Sequence, residues 1–397
     1  MRILLTANAS YAPPRGGATR SNLLWLDYMA VRGHACRVVA GEGESVPPAL
    51  AGPAVEIVAV AGRARQAPEL RRQIREFHPD WVLVSSEDLG HVLLREAHHA
   101  APGRVVYLAH TPQFFPFGPA SWNPDAGAAE LVKRAAGVVA IGHHNAQYVR
   151  AHLAREPAVI HPPIYGSGPF PDLAAFDAGL VTMVNPCAVK GISIFLALAE
   201  RFPAHGFGVL PGWGTTSADL AQIAAHPNIA VLPNCRRIAD FLSRSRILLM
   251  PSLWYEGFGL TVMEAMLHGI PTIASDAGGL VEAKMGTPFV VHAPAIERYA
   301  PVFDEHSLPK PVIGRVDVEP WADALCALLT DRALYEQVSA ASRAAALRFV
   351  GGLDAGRMLE FLETLAPGEA VHERPSLASL SPEKRALLLR KARGWKH

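Results

Sequence analysis

Residues 251–283 read PSLWYEGFGLTVMEAMLHGIPTIASDAGGLVEA and contain the most informative pattern in this chain. Glu256 and Glu264 stand eight positions apart, and Gly257-Phe258-Gly259 follows the first of them. The glycines let a ligand approach the backbone, and a helix is predicted to begin at Leu260. The first amides of a helix are unpaired and attract phosphate, while Glu264 is placed to accept hydrogen bonds from ribose hydroxyls. Taken alone, the two glutamates would also fit a structural helix with an acidic start.

On both sides of this segment, short β-rich apolar runs alternate with longer helical patterns. The alternation predicts parallel sheets with crossover helices. A proline-rich stretch, His161–Pro171, interrupts it and is the predicted linker. We therefore predict an α/β protein with two doubly wound domains and a cleft between them, lined by loops at the carboxyl ends of the strands. The predicted bounds are 1–165 for the first domain, 172–350 for the second, 353–365 for a helix that returns to the first domain, and 366–397 for a tether and basic tail.

Composition and charge exclude several classes of protein. Half of the 397 residues are hydrophobic and 18% are charged, which is typical of a folded chain and not of a disordered one. Lys plus Arg number 37 against 36 for Asp plus Glu, so the net charge of +1 provides no basic field for nucleic acid. No apolar run approaches the ~18 residues of a membrane span. The 4 cysteines lack a paired spacing, which favours a cytoplasmic enzyme over a disulfide or zinc framework.

The two glutamates and the Gly-Phe-Gly turn resemble the Glu–seven residues–Glu signature of the retaining family-4 (group 1) glycosyltransferases. That family has the GT-B fold of two facing Rossmann-like domains, and the resemblance extends over most of residues 1–365. It implies that the first glutamate and the following loop hold the donor sugar, the helix start meets the diphosphate, and the second glutamate holds the nucleotide ribose. In this chain the corresponding residues are Glu256, Gly257, Phe258 and Gly259 at the sugar, Leu260 and Thr261 at the diphosphate, and Glu264 at the ribose.

A second element, VNPCAVKG at 184–191, resembles the family pattern in which an arginine and a lysine clamp the donor diphosphate. Lys190 matches the lysine, where a cation would stabilise the leaving diphosphate. Asn185 stands in place of the arginine. Either helix dipoles suffice here, or another basic group such as Arg236 or Arg237 supplies the missing charge.

The loop after the first predicted strand contains Gly16 and Gly17 before a helix. It resembles the family's glycine loop, whose amides approach the donor phosphate and the acceptor, although a glycine pair is often only a tight turn. Arg15, next to this pair, is expected to face the acceptor.

His110 ends another predicted strand, Val105–Ala109. A lone histidine is more often structural, but the resemblance implies that His110 points at the reacting sugar and binds its primary hydroxyl or orients the acceptor. Phe114 and Phe115, in the aromatic stretch that follows, are expected to line the acceptor pocket. Glu87, at a third strand end, either contacts the acceptor or belongs to a helix cap.

Recognition of the nucleotide base is expected at loops of the second domain. The candidates are Gly212, Trp213 and Asn234, and Trp213 could instead be a core residue. The sequence has no Asp-X-Asp motif, so the metal-bound diphosphate of the other major glycosyltransferase fold is not expected. We predict neither a metal nor another cofactor.

These features together predict a retaining hexosyltransferase with His110, Lys190 and Glu256 as catalytic residues. The predicted donor is a nucleotide-sugar, UDP-glucose by family frequency, and the acceptor is a hydroxyl of a small molecule such as a peptide or polyketide natural product. One alternative is a glycolipid or polysaccharide transferase at the membrane surface. A nucleotide-sugar epimerase or phosphorylase, and a non-catalytic nucleotide-sugar binding module, are alternatives of other classes.

The tail differs from the rest of the chain in its charge. Residues 383–397 contain six Lys and Arg side chains and one Glu. Residues 380–391 resemble the short helix that precedes condensation domains in non-ribosomal peptide assembly lines, which implies a carrier-linked acceptor. The same residues would also suit a basic amphipathic helix on the inner face of a membrane, or a solvated basic helix.

Overall fold

A computed structural model of the protein describes residues 1–14, 16–43, 55–235 and 237–367. The first part of the chain forms a sheet of 7 parallel strands in the order β3-β2-β1-β4-β5-β6-β7. Its strands are β1 (Arg2–Ser10), β2 (Ala35–Gly41), β3 (Val55–Val60), β4 (Trp81–Ser85), β5 (Val105–Ala109), β6 (Gly137–Ala140) and β7 (Ala158–Val159). The helices among them are α1 (Gly16–Val31), α2 (Arg63–Phe77), α3 (Val92–Ala100), α4 (Ala126–Lys133) and α5 (His143–Leu153). The order reverses between β1 and β4, which opens a crevice at their carboxyl ends.

A second sheet of 6 parallel strands follows in the order β10-β9-β8-β11-β12-β13. Its strands are β8 (Leu180–Val184), β9 (Phe207–Leu210), β10 (Ile229–Val231), β11 (Ser245–Met250), β12 (Thr272–Ser275) and β13 (Val290–Val291). The helices of this part are α6 (Ile192–Arg201), α7 (Ser217–Ala224), α8 (Ile238–Leu242), α9 (Leu260–Leu267), α10 (Leu280–Ala283), α11 (Glu319–Thr330) and α12 (Arg332–Gly351). Its order reverses between β8 and β11, so a second crevice forms beside β11.

Two features lie outside the parallel sheets. An antiparallel hairpin, β14 (Ile296–Phe303) and β15 (Pro309–Ile313), was not predicted from the sequence. The last helix, α13 (Arg357–Thr364), packs on the first sheet, where Met358 and Leu362 are buried beside Ile3. Gly137 of β6 makes room for it, because a Cβ atom there would lie 2.7 Å from the ring of Phe361.

The sheets are buried on both faces, as parallel sheets covered by helices require. All residues of β4 and of β5 are buried. One apolar cluster joins the two halves of the chain: Met263 and Met266 of α9 belong to the same cluster as Trp25 and Leu26 of α1. This packing holds α1 and α9 together and brings their amino-terminal ends to one cleft.

The two parallel α/β sheets confirm the predicted architecture. Helix α1 begins at Gly16, so Gly16 and Gly17 belong to the helix and not, as was predicted, to the loop before it. In the part of the chain that the structure describes, no helix is long and apolar enough to cross a lipid bilayer. The predicted tether and basic tail lie almost entirely outside the described residues, which end at residue 367.

Candidate active site

The loop between β11 and α9 is pressed against the first domain. Gly257 lies so close to the carbonyl oxygen of His110 that a side chain at this position would collide with it. Gly259 has a φ of 117°, which favours glycine, and a Cβ atom there would lie 2.9 Å from the Cβ of Ala283. Phe258 between them is 2% exposed and its ring points into the core, so only its backbone is free to meet a ligand.

The amino-terminal end of α9 lies at the contact between the two domains. No side chain of the described residues caps this helix, so its first amides are left for another partner. Gly17 of α1 faces it, since a Cβ atom at Gly17 would lie 2.5 Å from Cδ1 of Leu260. Gly16, with a φ of 84°, makes the turn before Gly17. The helix dipole and the close backbone approach together suit a phosphate group.

Lys190 and Glu256 form an ion pair next to the Gly257 loop. Lys190 Nζ lies 2.5 Å from Glu256 Oε1, and the Ser252 hydroxyl donates to the same oxygen at 2.7 Å. The two side chains are only 10% and 12% exposed. The ammonium also lies 5.2 Å from the ring centre of Trp254. A buried cation and carboxylate are thus held side by side, as a ligand with both anionic and hydroxyl groups would require.

His110 belongs to a buried hydrogen-bond chain at the end of β5. Its Nε2 lies 2.8 Å from Oδ1 of Asn22, and Nδ2 of Asn22 donates to the Tyr11 hydroxyl at 2.7 Å. All three residues are at most 2% exposed. Because the Asn22 amide nitrogen already donates to Tyr11, its oxygen accepts from His110, and the ring proton lies on Nε2. Burial lowers the pKa of His110 to about 3, so the ring is neutral. Its Nδ1 is then an acceptor with no partner among the described residues.

Glu264 projects from the second turn of α9, and Arg20 of α1 is its partner across the cleft. Nη1 of Arg20 lies 4.0 Å from Oε1 of Glu264. Burial raises the pKa of Glu264 to about 7, while the nearby guanidinium works against that rise. The Glu264 side chain is 13% exposed and that of Arg20 is 51% exposed. Arg20 therefore lies beside the second glutamate of the motif.

Comparison with known proteins identifies the family. Residues 175–331 match the family described as "Glycosyl transferases group 1", and residues 15–165 match "Glycosyltransferase Family 4". The chain is a group 1 glycosyltransferase of the GT-B fold. A curated relative, the "Uncharacterized 42.6 kDa protein in cps region" of Klebsiella pneumoniae, is 29% identical over 123 residues. That match spans only about a third, 31%, of the relative's length.

Solved structures similar to this glycosyltransferase share its fold. Anabaena Alr3699/HepE in complex with UDP and glucose is 17% identical, with a TM-score of 0.68 over 92% of this chain and 100% of that one. The same protein in complex with UDP-glucose is 15% identical, with a TM-score of 0.66 over 91% and 98%. AviGT4, a glycosyltransferase involved in avilamycin A biosynthesis, is 17% identical, with a TM-score of 0.54 over 92% and 97%.

In this glycosyltransferase, Asn185 shapes a loop and does not replace the missing arginine as a cation. It has a φ of 56° and is 5% exposed. Oδ1 of Asn185 accepts from the amide of Gly214 at 2.9 Å. A Cβ atom at Gly212 would lie 2.7 Å from the Cβ of Asn185, so the loop needs glycine there. The buried Nδ2 of Asn185 has no partner among the described residues.

The other residues predicted at the nucleotide lie on the surface. Trp213 is 48% exposed and packs against Trp254, so the core interpretation of Trp213 is wrong. Asn234 is exposed, and its side chain accepts from the amide of Cys235. Arg237, one of the two basic groups considered as a substitute cation, pairs with Asp240. The other, Arg236, lies outside the described residues.

The structure corrects part of the predicted acceptor set. Phe115 has no exposed surface and packs in the core with Tyr107 and Tyr148, so the prediction that it lines the acceptor pocket is wrong. The apolar pattern of its loop does not distinguish a core ring from a surface ring. Phe114 is partly exposed and packs edge-on against Trp122. Arg15 lies outside the described residues.

Glu87 and its neighbour Asp88 lie where the sequence left two roles open, a contact with the acceptor and a helix cap. Asp88 caps α3, because its carboxylate oxygens accept from the amides of Leu93 and Leu94 at 3.1 and 2.8 Å. Burial raises the pKa of Glu87 to about 7, and its Oε2 has no partner among the described residues. Asp88 therefore supplies the cap, and a contact between Glu87 and an acceptor stays a prediction.

Sequence reasoning missed several residues that build the site. Asn22 and Tyr11 orient His110, and Ser252 holds Glu256. Trp122 of the first domain packs edge-on against Trp254 and Tyr299 of the second, with ring centres 5.2 and 5.6 Å apart. Asn22 is a polar residue on the buried face of α1, next to Trp25 and Leu26, and the hydrophobic pattern gives such a residue no partner.

Proposed function

We propose that this chain transfers a hexose from a UDP-sugar, UDP-glucose first, to a hydroxyl group of a small-molecule acceptor. One observation carries the proposal: the Lys190–Glu256 pair, the uncapped start of α9 and His110 converge on one interdomain cleft. The similar HepE structures in complex with UDP and UDP-glucose support the donor class. The involvement of AviGT4 in avilamycin A biosynthesis supports a natural-product acceptor.

Each part of the cleft has a role in this proposal. Lys190 and the amides of Leu260 and Thr261 bind the diphosphate and stabilise the charge that develops on it. Glu256 exchanges part of its contact with Lys190 for the sugar hydroxyls, and Glu264 binds the ribose. His110, whose Nδ1 is an acceptor, receives a hydrogen bond from the primary hydroxyl of the sugar. Such positioning, more than acid–base chemistry, would supply the catalysis.

The transfer would proceed with retention of configuration and without a metal. Glu256 is held by Lys190 and Ser252, so it is poorly placed to act as a nucleophile. The bond from the anomeric carbon to the diphosphate oxygen breaks, and the acceptor oxygen bonds to that carbon on the same face. The leaving diphosphate takes the acceptor proton.

The test compares Glu256→Gln with Glu130→Gln, a control on an exposed helix face. Calorimetry with UDP-glucose, GDP-mannose and UDP measures donor choice, and mass spectrometry identifies the products. We expect Glu256→Gln to lose affinity for UDP-glucose at least tenfold while it keeps UDP binding, since the carboxylate contacts the sugar and not the nucleotide. Full activity of Glu256→Gln would overturn the assignment. UDP-galactose or glucose 1-phosphate as product would instead identify an epimerase or a phosphorylase, and binding without any turnover a non-catalytic module.

A further inference from the structure

Three metal-ligating side chains meet behind the donor loop, outside the proposed donor site. They are His143 at the start of α5, His161 after β7 and Glu282 on α10. One ligand atom from each lies within 4.8 Å of the other two. Nε2 of His161 lies 2.7 Å from Oε1 of Glu282, and the two imidazole rings are 5.6 Å apart. His161 and Glu282 are 121 positions apart in the sequence, and with His143 they form one cluster of two imidazoles and a carboxylate.

Two of the three side chains are held in place before any ion arrives. Oε2 of Glu282 accepts from the backbone amide of His144 at 3.1 Å, which leaves Oε1 directed at the histidines. A Cβ atom at Gly142 would lie 2.9 Å from that same Oε2, so the glycine makes room for the carboxylate. The ring of His161 packs edge-on against Phe258 and Phe349, at 5.2 and 5.1 Å. Ligands that are already oriented lose less freedom on binding.

The chemistry of this set suits a zinc ion. Zinc binds imidazole nitrogen and carboxylate oxygen at about 2.0–2.2 Å, and two histidines with one glutamate form a known type of three-ligand site. With such bonds, neighbouring ligand atoms around the ion are about 3.3–3.5 Å apart, so ligand atoms that now lie up to 4.8 Å apart must approach one another by up to about 1.5 Å. His161 would bind through Nε2 after giving up the proton it shares with Glu282, and its ring would keep a proton on Nδ1. Water would complete the coordination.

We propose that His143, His161 and Glu282 bind a zinc ion that clamps the two domains together. His143 belongs to the first domain, His161 to the segment that leaves it, and Glu282 to the second domain. The helix that carries Glu282 follows Gly278 and Gly279, and the amide of Gly279 donates to the carbonyl of Glu256 at 2.8 Å. The ring of His161 also touches Phe258 of the donor loop. The ion takes no part in the transfer, and it fixes the loop that does.

The test titrates zinc chloride into the full chain, purified without a polyhistidine tag and stripped of metal by a chelator. Calorimetry is expected to show one saturable site, and zinc is expected to raise the melting temperature. His143→Ala and Glu282→Gln should each weaken that site at least tenfold, since each removes one ligand. His144→Ala is the matched control, because it is adjacent and keeps the backbone amide that Glu282 uses.

A second measurement separates binding from folding. Circular dichroism of the metal-free variants shows whether each is folded, and cobalt chloride reports the ligand set through its visible absorption. The proposal is overturned if the wild-type chain shows no saturable zinc binding, or if His143→Ala binds zinc as tightly as His144→Ala does. Either result would leave the cluster as a hydrogen-bonded contact in which Glu282 accepts from His161 and from the His144 amide at the start of α5. None of these measurements uses a donor, so their outcome is independent of the proposed transferase activity.

Discussion

Replacing Asn22 by leucine is expected to weaken binding of the donor sugar, although Asn22 is buried at the far side of His110. The amide oxygen of Asn22 lies 2.8 Å from Nε2 of His110 and holds the ring proton there, which leaves Nδ1 as the acceptor that we propose for the primary hydroxyl. Leucine has a similar volume and cannot accept a hydrogen bond. Without the amide, the ring loses the contact that fixes both its orientation and the position of its proton.

The magnitude follows from the two hydrogen bonds that disappear. Asn22→Leu leaves the His110 Nε2 proton and the Tyr11 hydroxyl buried without a partner, and each such group costs about 1–3 kcal/mol. We therefore expect the free energy of unfolding to fall by about 2–6 kcal/mol. A hydrogen bond to the sugar contributes about 1–1.5 kcal/mol to the binding free energy, which corresponds to about 5- to 12-fold in affinity.

Calorimetry with three ligands isolates this effect. Affinity for UDP-glucose should fall by that factor, while affinity for UDP-xylose, which lacks the primary hydroxyl, and for UDP should stay within about twofold. Tyr11→Phe is the matched variant: it removes the outer bond of the chain and keeps the bond between Asn22 and His110. It should lose stability and retain donor affinity. Nitrogen NMR of His110 should show a single Nε2-protonated ring in the wild type and in Tyr11→Phe.

Two results would refute this reasoning. Equal losses for UDP-glucose, UDP-xylose and UDP would show that Asn22→Leu damages the whole cleft. An unchanged affinity for UDP-glucose in a folded variant would show that His110 does not contact the primary hydroxyl, and the role given to Nδ1 would then be wrong.

Three other perturbations have defined outcomes. Phe115→Ala should lower the free energy of unfolding by about 3–5 kcal/mol, as a fully buried ring does, and leave donor affinity unchanged; a large loss of affinity in the folded variant would restore Phe115 to a binding role. Burial raises the pKa of Glu264 to about 7, so its contribution to the free energy of unfolding is present below pH ~4.5 and is lost as the pH rises through 7. Urea unfolding at several pH values should show this loss, of at most about 3 kcal/mol, in the wild type and not in Glu264→Gln. The same pH dependence in both proteins would contradict the prediction. Deletion of residues 370–397 should abolish binding to anionic liposomes in a flotation assay if the tail meets a membrane, and unchanged binding would exclude that alternative.

The sequence predicted the fold because the relevant signals are local. Apolar runs without polar alternation indicated strands buried on both faces, and His161–Pro171 marked the break between two blocks. The glycines at 257 and 259 indicated a stretch of backbone that a ligand or another part of the chain approaches closely. The structure shows that at Gly257 this neighbour is the carbonyl of His110, in the other domain.

Hairpin β14–β15 was missed for a local reason as well. Pro309 and Pro311 stand within its second strand, and proline argues against a strand unless that strand is an edge. Phe114 and Phe115 are adjacent and equally apolar, yet only Phe115 is fully buried. Packing against Tyr107 and Tyr148 decides this, and both lie on other elements of the chain.

The sequence by itself determined two parallel α/β domains, a phosphate-suited helix start at Leu260 and the residue types of the donor motif, since each depends on backbone preferences and periodicity over a few residues. Only the tertiary structure decided which side chains act together. Asn22 contacts His110 across 88 positions, and Glu282 contacts His161 across 121. The first contact forms inside the first domain, where α1 packs beside the end of β5, and the second forms where α10 of the second domain meets the segment after β7. No short pattern along the chain encodes either meeting.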